Sequence, residues 1–133
     1  CIRDRRELVF VATRLRFGDG MPISIETLRI SPRLIPKLEP SHLQESLYEY
    51  FASAFKVKII HAKASVVAHF PSSKEMELLQ INSHTPCLMM KMIDYDQNAR
   101  PVMIAECLYR SDLYELELEI SANLAEQRIQ VSS

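Results

Sequence analysis

The sequence has no tryptophan and only two glycines, Gly18 and Gly20. With glycine this scarce, neither a G-x-G-x-x-G nor a G-x-x-x-x-G-K-[ST] loop can form, which excludes the nucleotide-binding folds built on them. No apolar run approaches the ~20 residues needed to cross a bilayer, so no membrane partner is expected. The basic excess of a free-standing nucleic-acid binder is also missing: 16 Lys+Arg stand against 17 Asp+Glu, a formal charge of −1. The three cysteines (Cys1, Cys87, Cys107) are odd in number and contain no C-x-x-C pair. A disulfide framework or zinc site needs closer, paired spacing, so reduced thiols and a cytoplasmic location are expected. There is no signal-peptide pattern, no N-x-S/T sequence and no initiator Met. The chain reads as a piece of something longer.

Catalytic signatures are equally thin. G-x-S-x-G is absent. Ser53-Ala54-Phe55-Lys56 matches S-x-x-K, but the S-D-N and K-T-G motifs that accompany it are missing. His42, His61, His69 and His84 are scattered, and His61 and His69 lie too far apart on one strand to share a metal. No nucleophile with an orienting base emerges. The expectation is no catalytic residue, no metal and no cofactor.

What is present is a well-patterned apolar fraction: 47% of 133 residues, enough for one domain with a real core. Leu8 to Phe17 alternates as a strand, which puts Arg14 and Arg16 on one face. Gly18-Asp19-Gly20 is a turn signal. The β-branched run Ile23 to Ile30 follows as a hairpin partner, with Glu26 on the face of Ser24 and Leu28. Pro32, Pro36 and Pro40 exclude regular structure and predict an extended connection. Leu43, Leu47, Tyr50, Phe51 and Ala54 have the spacing of a buried helical stripe. Two capping boxes compete for its start, one at Ser41 and one at Ser46.

Lys58 to Phe70 reads as a long strand with an apolar face of Ile60, Ala62, Ala64, Val66, Ala68 and Phe70. The box Ser72-Ser73-Lys74-Glu75 starts a short helix through Gln80. Cys87 to Tyr95 and Pro101 to Arg110 form a second hairpin. Strict alternation from Leu113 to Ile120, with Glu115, Glu117 and Glu119 on the wet side, predicts a last strand, and Ala122 to Gln127 a frayed or helical tail. The sum is an α+β domain: an antiparallel sheet of about six strands with two covering helices.

An ordered set of short motifs then carries a resemblance. Arg14-Leu15-Arg16 precedes a Gly turn and Pro22. Ser46-Leu47-Tyr48-Glu49 opens a helix. Pro86-Cys87-Leu88 is followed by Asp94 to Pro101-Val102 and by Tyr109-Arg110-Ser111-Asp112-Leu113-Tyr114. From about Leu8 to Ile120 the chain resembles the UTRA domain, the effector-binding half of HutC-type regulators in the bacterial GntR family. The resemblance implies a chorismate-lyase-like fold and transcriptional control in place of catalysis. It also implies an N-terminal winged helix-turn-helix that this chain lacks, so operator DNA is met only through that missing part, and a homodimer. The alternative on the same fold is a chorismate-lyase-like enzyme.

Carried over position by position, the resemblance implies effector-binding roles for Arg14, Arg16, Glu26, Ser46, Tyr48 and Tyr109. Two arginines facing a helix start would hold an anion, such as a phosphorylated sugar or a carboxylate. Two solvated arginines are the plain alternative. Glu26 can bind ligand hydroxyls or pair with an arginine, and each tyrosine can serve a pocket or the core. Met89, Met90, Met92 and Met103 are adaptable core or an apolar pocket wall. The chain departs from the family pattern at Met103, where a Glu is frequent, and at Lys56 and Ala99, where Gly is usual.

Overall fold

In the computed structural model, which describes residues 10–117 and 119, the element order is β1 (Phe10–Gly18), β2 (Met21–Ile30), α1 (Leu47–Phe55), β3 (Ile59–His69), α2 (Ser73–Leu79), β4 (Cys87–Asp96) and β5 (Pro101–Arg110). The strands form one antiparallel sheet in the order β1-β2-β5-β4-β3. β1 and β2 are joined by Asp19-Gly20, both at positive φ (51° and 78°), the geometry a two-residue hairpin turn demands.

A bulge then sets the register of this hairpin. Phe17 pairs with Pro22, but Arg16 pairs with Ser24, leaving Ile23 as the extra residue. The one-residue shift flips every later pairing to the other face, and it is what brings Glu26 opposite Arg14. Gly18 is part of the device: a Cβ there would lie 2.1 Å from the Ile23 side chain.

Two small cores sit on opposite faces of the sheet. One gathers Leu28, Ile30, Ile35, Phe51, Val57, Val102 and Met103 under α1. The other gathers Leu79 of α2 with Cys87 and Leu108, and draws in Leu15, Ile25 and Met89. Arg110 pins α2 in place: its guanidinium donates to the Leu79 carbonyl at 3.0 Å and forks onto Asp112. A cation at a helix C-terminus complements the carbonyls exposed there.

The Pro-rich connection is anchored by Ile35, fully buried, and by the Tyr50 hydroxyl, which donates to the Lys37 carbonyl. Of the two helix starts written in the sequence, the structure takes the second: Pro40–Gln44 forms a short 3-10 turn, and Ser46 caps α1. His42 stacks on Tyr50 with ring centres 3.8 Å apart, which packs the turn against α1. Ala54, placed in the buried stripe by its spacing, is exposed.

One expectation is corrected. The predicted sixth strand does not form where it can be described: residues 111–113 turn, and residues 114–117 make no ladder. Tyr114 and Leu116 instead lie over the sheet face, lining a small void with Val66, Leu88, Met90 and Tyr109. Alternation cannot distinguish a paired strand from an extended segment laid across a sheet. The apolar face read for β3 stands open: Ile60 is 68% and Phe70 89% exposed, and the two cores take only Ile59 from this strand. Residues Leu8, Val9 and Ile120, and the tail from Ser121, lie outside the described residues.

The two missing glycines leave a trace. Lys56 caps α1 at φ 57°, and Ala99 sits in the β4–β5 turn at φ 60°. The left-handed backbone is kept, and a side chain bears its steric cost of roughly 1 kcal/mol. Lys56→Gly and Ala99→Gly are each expected to raise stability by about 0.5–1 kcal/mol in chemical denaturation. A loss of stability in both would contradict the assigned turn geometry.

Candidate functional site

The bulged hairpin places Arg14, Arg16 and Glu26 on one face of the sheet. Arg14 lies opposite Glu26, which in turn lies opposite Cys107; Arg16 lies opposite Ser24, which lies opposite Tyr109. Alternation thus brings four of the residues singled out in the sequence into two adjacent cross-strand rows. The Arg14 guanidinium pairs with Glu26 through Nε and Nη2, the Nε contact being 2.7 Å. Its Nη1 donates to the Leu43 carbonyl at 2.8 Å. Arg16 stands 3.5 Å from the same Glu26 oxygen and keeps 55% of its side chain exposed, against 30% for Arg14. Of the two readings open for Glu26, the structure shows the ion pair. One carboxylate serves two cations, which leaves Arg16 the more available for another anion.

Ser46 caps α1 through its Oγ, which accepts from the Glu49 amide at 3.4 Å. The helix start carries free N–H groups and a partial positive charge. Tyr48, in the first turn, is 44% exposed, and its hydroxyl donates to Asp94 Oδ2 at 2.7 Å. Tyr48 therefore meets the sheet at Asp94, and Arg14 meets the 3-10 turn ahead of α1 at Leu43. Tyr109 stacks on Tyr114, ring centres 4.0 Å apart. Burial is the first cause that pushes its phenol above the usual range, with Cys107 and Tyr114 adding to it.

Three neighbours carry no site role in the sequence reading. Cys107 Sγ lies 3.7 Å from Glu26 Oε2, and burial, aided by that carboxylate, pushes its thiol up. Tyr114 covers Tyr109. Asp94 is the third: a buried carboxylate on a strand whose same-face neighbours are Met90 and Met92. A signal for it exists in the sequence, since an acid on the methionine-bearing face of an inner strand is anomalous. Met103, where the family frequently has Glu, lies directly opposite Asp94 and is buried. Among the described residues, no group of three or more His, Cys, Asp or Glu could hold a metal ion.

Residues 4–115 match the UTRA domain family. The chain is 30% identical over 102 residues to the transcriptional repressor NagR of Bacillus subtilis, covering 77% of this chain and 42% of that protein. It is 31% identical over 106 residues to the transcriptional regulator GgaR of Escherichia coli, covering 80% and 42%. A solved GntR-family regulator from Enterococcus faecalis superposes with a TM-score of 0.81 at 24% identity, over 86% of this chain and 83% of that one. The chain belongs to the UTRA family, the effector-binding domains of GntR/HutC-type regulators. It spans less than half the length of the curated relatives it matches.

Burial pushes the Asp94 carboxyl above its usual range, which the Tyr48 hydrogen bond only partly offsets. The folded chain therefore holds this proton more tightly than the unfolded chain. Stability falls as pH rises from about 4, the ordinary carboxylate value, through the raised folded value. Asp94→Asn removes that dependence. Its melting temperature is expected to exceed the wild type's at neutral pH, with the gap closing below about pH 4. A variant less stable at every pH would contradict the burial cost.

Proposed function

We propose that the chain is the sensing part of a transcription regulator and binds a small anionic metabolite, a phosphorylated sugar or a carboxylate, at Arg14, Arg16, Glu26, Ser46, Tyr48 and Tyr109. The observation that carries this reading is the divided hold of Arg14, between Glu26 on the sheet and the Leu43 carbonyl ahead of α1. An anion drawn first to the exposed Arg16 and the Ser46 helix start competes with Glu26 for Arg14. Whatever Arg14 gives up or gains changes its grip on the segment before α1. Glu26, once released, can accept from ligand hydroxyls. Binding is thereby coupled to the placement of the Pro-rich lead-in and helix, the two-state element an effector needs.

In this reading the DNA-binding winged helix is a separate N-terminal part of a cytoplasmic, homodimeric protein. Operator contact runs only through that part. Dimerisation is supported by β3, an 11-residue edge strand with one lysine, no proline and exposed apolar residues on both faces. Sedimentation returning only a monomer would remove that element. The role is sensory and not enzymatic, in keeping with a repressor and a regulator among the relatives. Pyruvate release from chorismate would overturn it.

The site can be tested before its effector is identified. Wild type and the double variant Arg14→Ala/Arg16→Ala are purified and denatured, and the released small molecules are compared by mass spectrometry. An anionic metabolite is expected from the wild type and at least ten-fold less from the variant, since each charge-assisted bond is worth about 1.5–3 kcal/mol. Equal recovery would contradict the site.

A further inference from the structure

Asp94 is the buried polar group that the fold leaves unexplained. The residue is 2% exposed. Its Oδ2 accepts from the Tyr48 hydroxyl, while its Oδ1 is buried without a hydrogen-bond partner. A buried carboxylate oxygen left unpaired is costly, and a sheet selected only for stability would carry another apolar side chain here, as β4 does at Met90 and Met92.

The orientation of the group is defined. The bond to Tyr48 shows that Asp94 rises from the sheet face carrying Arg14, Glu26 and Tyr109, toward the first turn of α1. Tyr48 is 44% exposed, so the side chain that holds Asp94 reaches solvent at the helix start while Asp94 stays buried. Glu26 is already committed to two guanidinium groups. Asp94 Oδ1 is thus an acceptor held ready beside residues that the preceding subsection assigns to the effector.

We propose that Asp94, positioned by Tyr48, reads the second end of the effector: it accepts a hydrogen bond from a hydroxyl or ammonium group on a molecule whose anionic end rests on Arg14 and Arg16. The inference rests on that anion-site reading. β2 and β5 separate the strand of the arginines from the strand of Asp94, so the occupant is elongated and not a bare ion. Selectivity follows from the same burial that makes the empty state costly. A ligand with a donor in the right place satisfies Oδ1, whereas an analogue without one leaves it unpaired.

The test is isothermal titration with three probes: inorganic phosphate, glucose 6-phosphate and glucosamine 6-phosphate. Wild type is expected to bind at least one sugar phosphate about ten-fold or more tighter than inorganic phosphate. In Asp94→Leu this ratio falls toward one. Tyr48→Phe, which removes only the hydroxyl that holds Asp94, lowers the ratio partway and stands in should the leucine variant fold poorly. A ratio unchanged in both variants, or no preference in the wild type while phosphate binds, overturns the Asp94 inference alone. If no probe binds the wild type, inorganic phosphate included, the anion site itself fails and the role of Asp94 falls with it.

Discussion

Much of this domain depends on where one guanidinium puts its donors. Arg14 holds β1 to β2 through Glu26 and holds the segment ahead of α1 through the Leu43 carbonyl. A planar fork can serve two acceptors at fixed angles in a way an ammonium cannot. The same group is therefore a structural tie and, in the proposed reading, the cation for which an anion drawn first to Arg16 competes. The arrangement follows from a single backbone feature. Without the bulge at Ile23, Glu26 would face away, and Arg14 would lie opposite Ile25.

The placement of the two cores explains why the polar row survives beside the α1 core. α1 packs through Phe51 onto Leu28 and Ile30, near one end of the hairpin, while α2 packs through Leu79 onto the reverse face. The stretch of sheet carrying Arg14, Arg16, Glu26 and Tyr109 lies beyond the reach of the α1 core. The 3-10 turn reaches it through the Leu43 carbonyl, and Tyr114 through its stack on Tyr109. A face covered by short, polar-ended pieces suits a site that must admit and release a ligand.

Local features of the fold are legible in the sequence, and long-range ones are not. Parity along a strand depends only on neighbours, so Arg14 and Arg16 fall together, and Glu26 with Ser24. The Ser46 and Ser72 caps are likewise written within four residues. What stays hidden depends on partners distant in sequence. The apolar face of β3 is legible from its pattern, but not that it stands open, because the strand's place at the sheet edge is set by distant partners. The alternation of residues 113–120 is real, but where it can be described it serves packing on a face. Asp94 is easily passed over because its meaning lies in a hydroxyl 46 residues away. Lys56 and Ala99 show the reverse case, where the expected glycine is absent and the backbone adopts its conformation anyway.

The central claim is that Arg14 couples the charged row on the sheet to the segment that opens α1. Amide hydrogen exchange over residues 40–50, compared between wild type and Arg14→Ala without any added ligand, tests it most directly. The account predicts faster exchange across this segment in the variant, while β4 and β5 stay as protected as before. Identical exchange over residues 40–50 in the two proteins would contradict it.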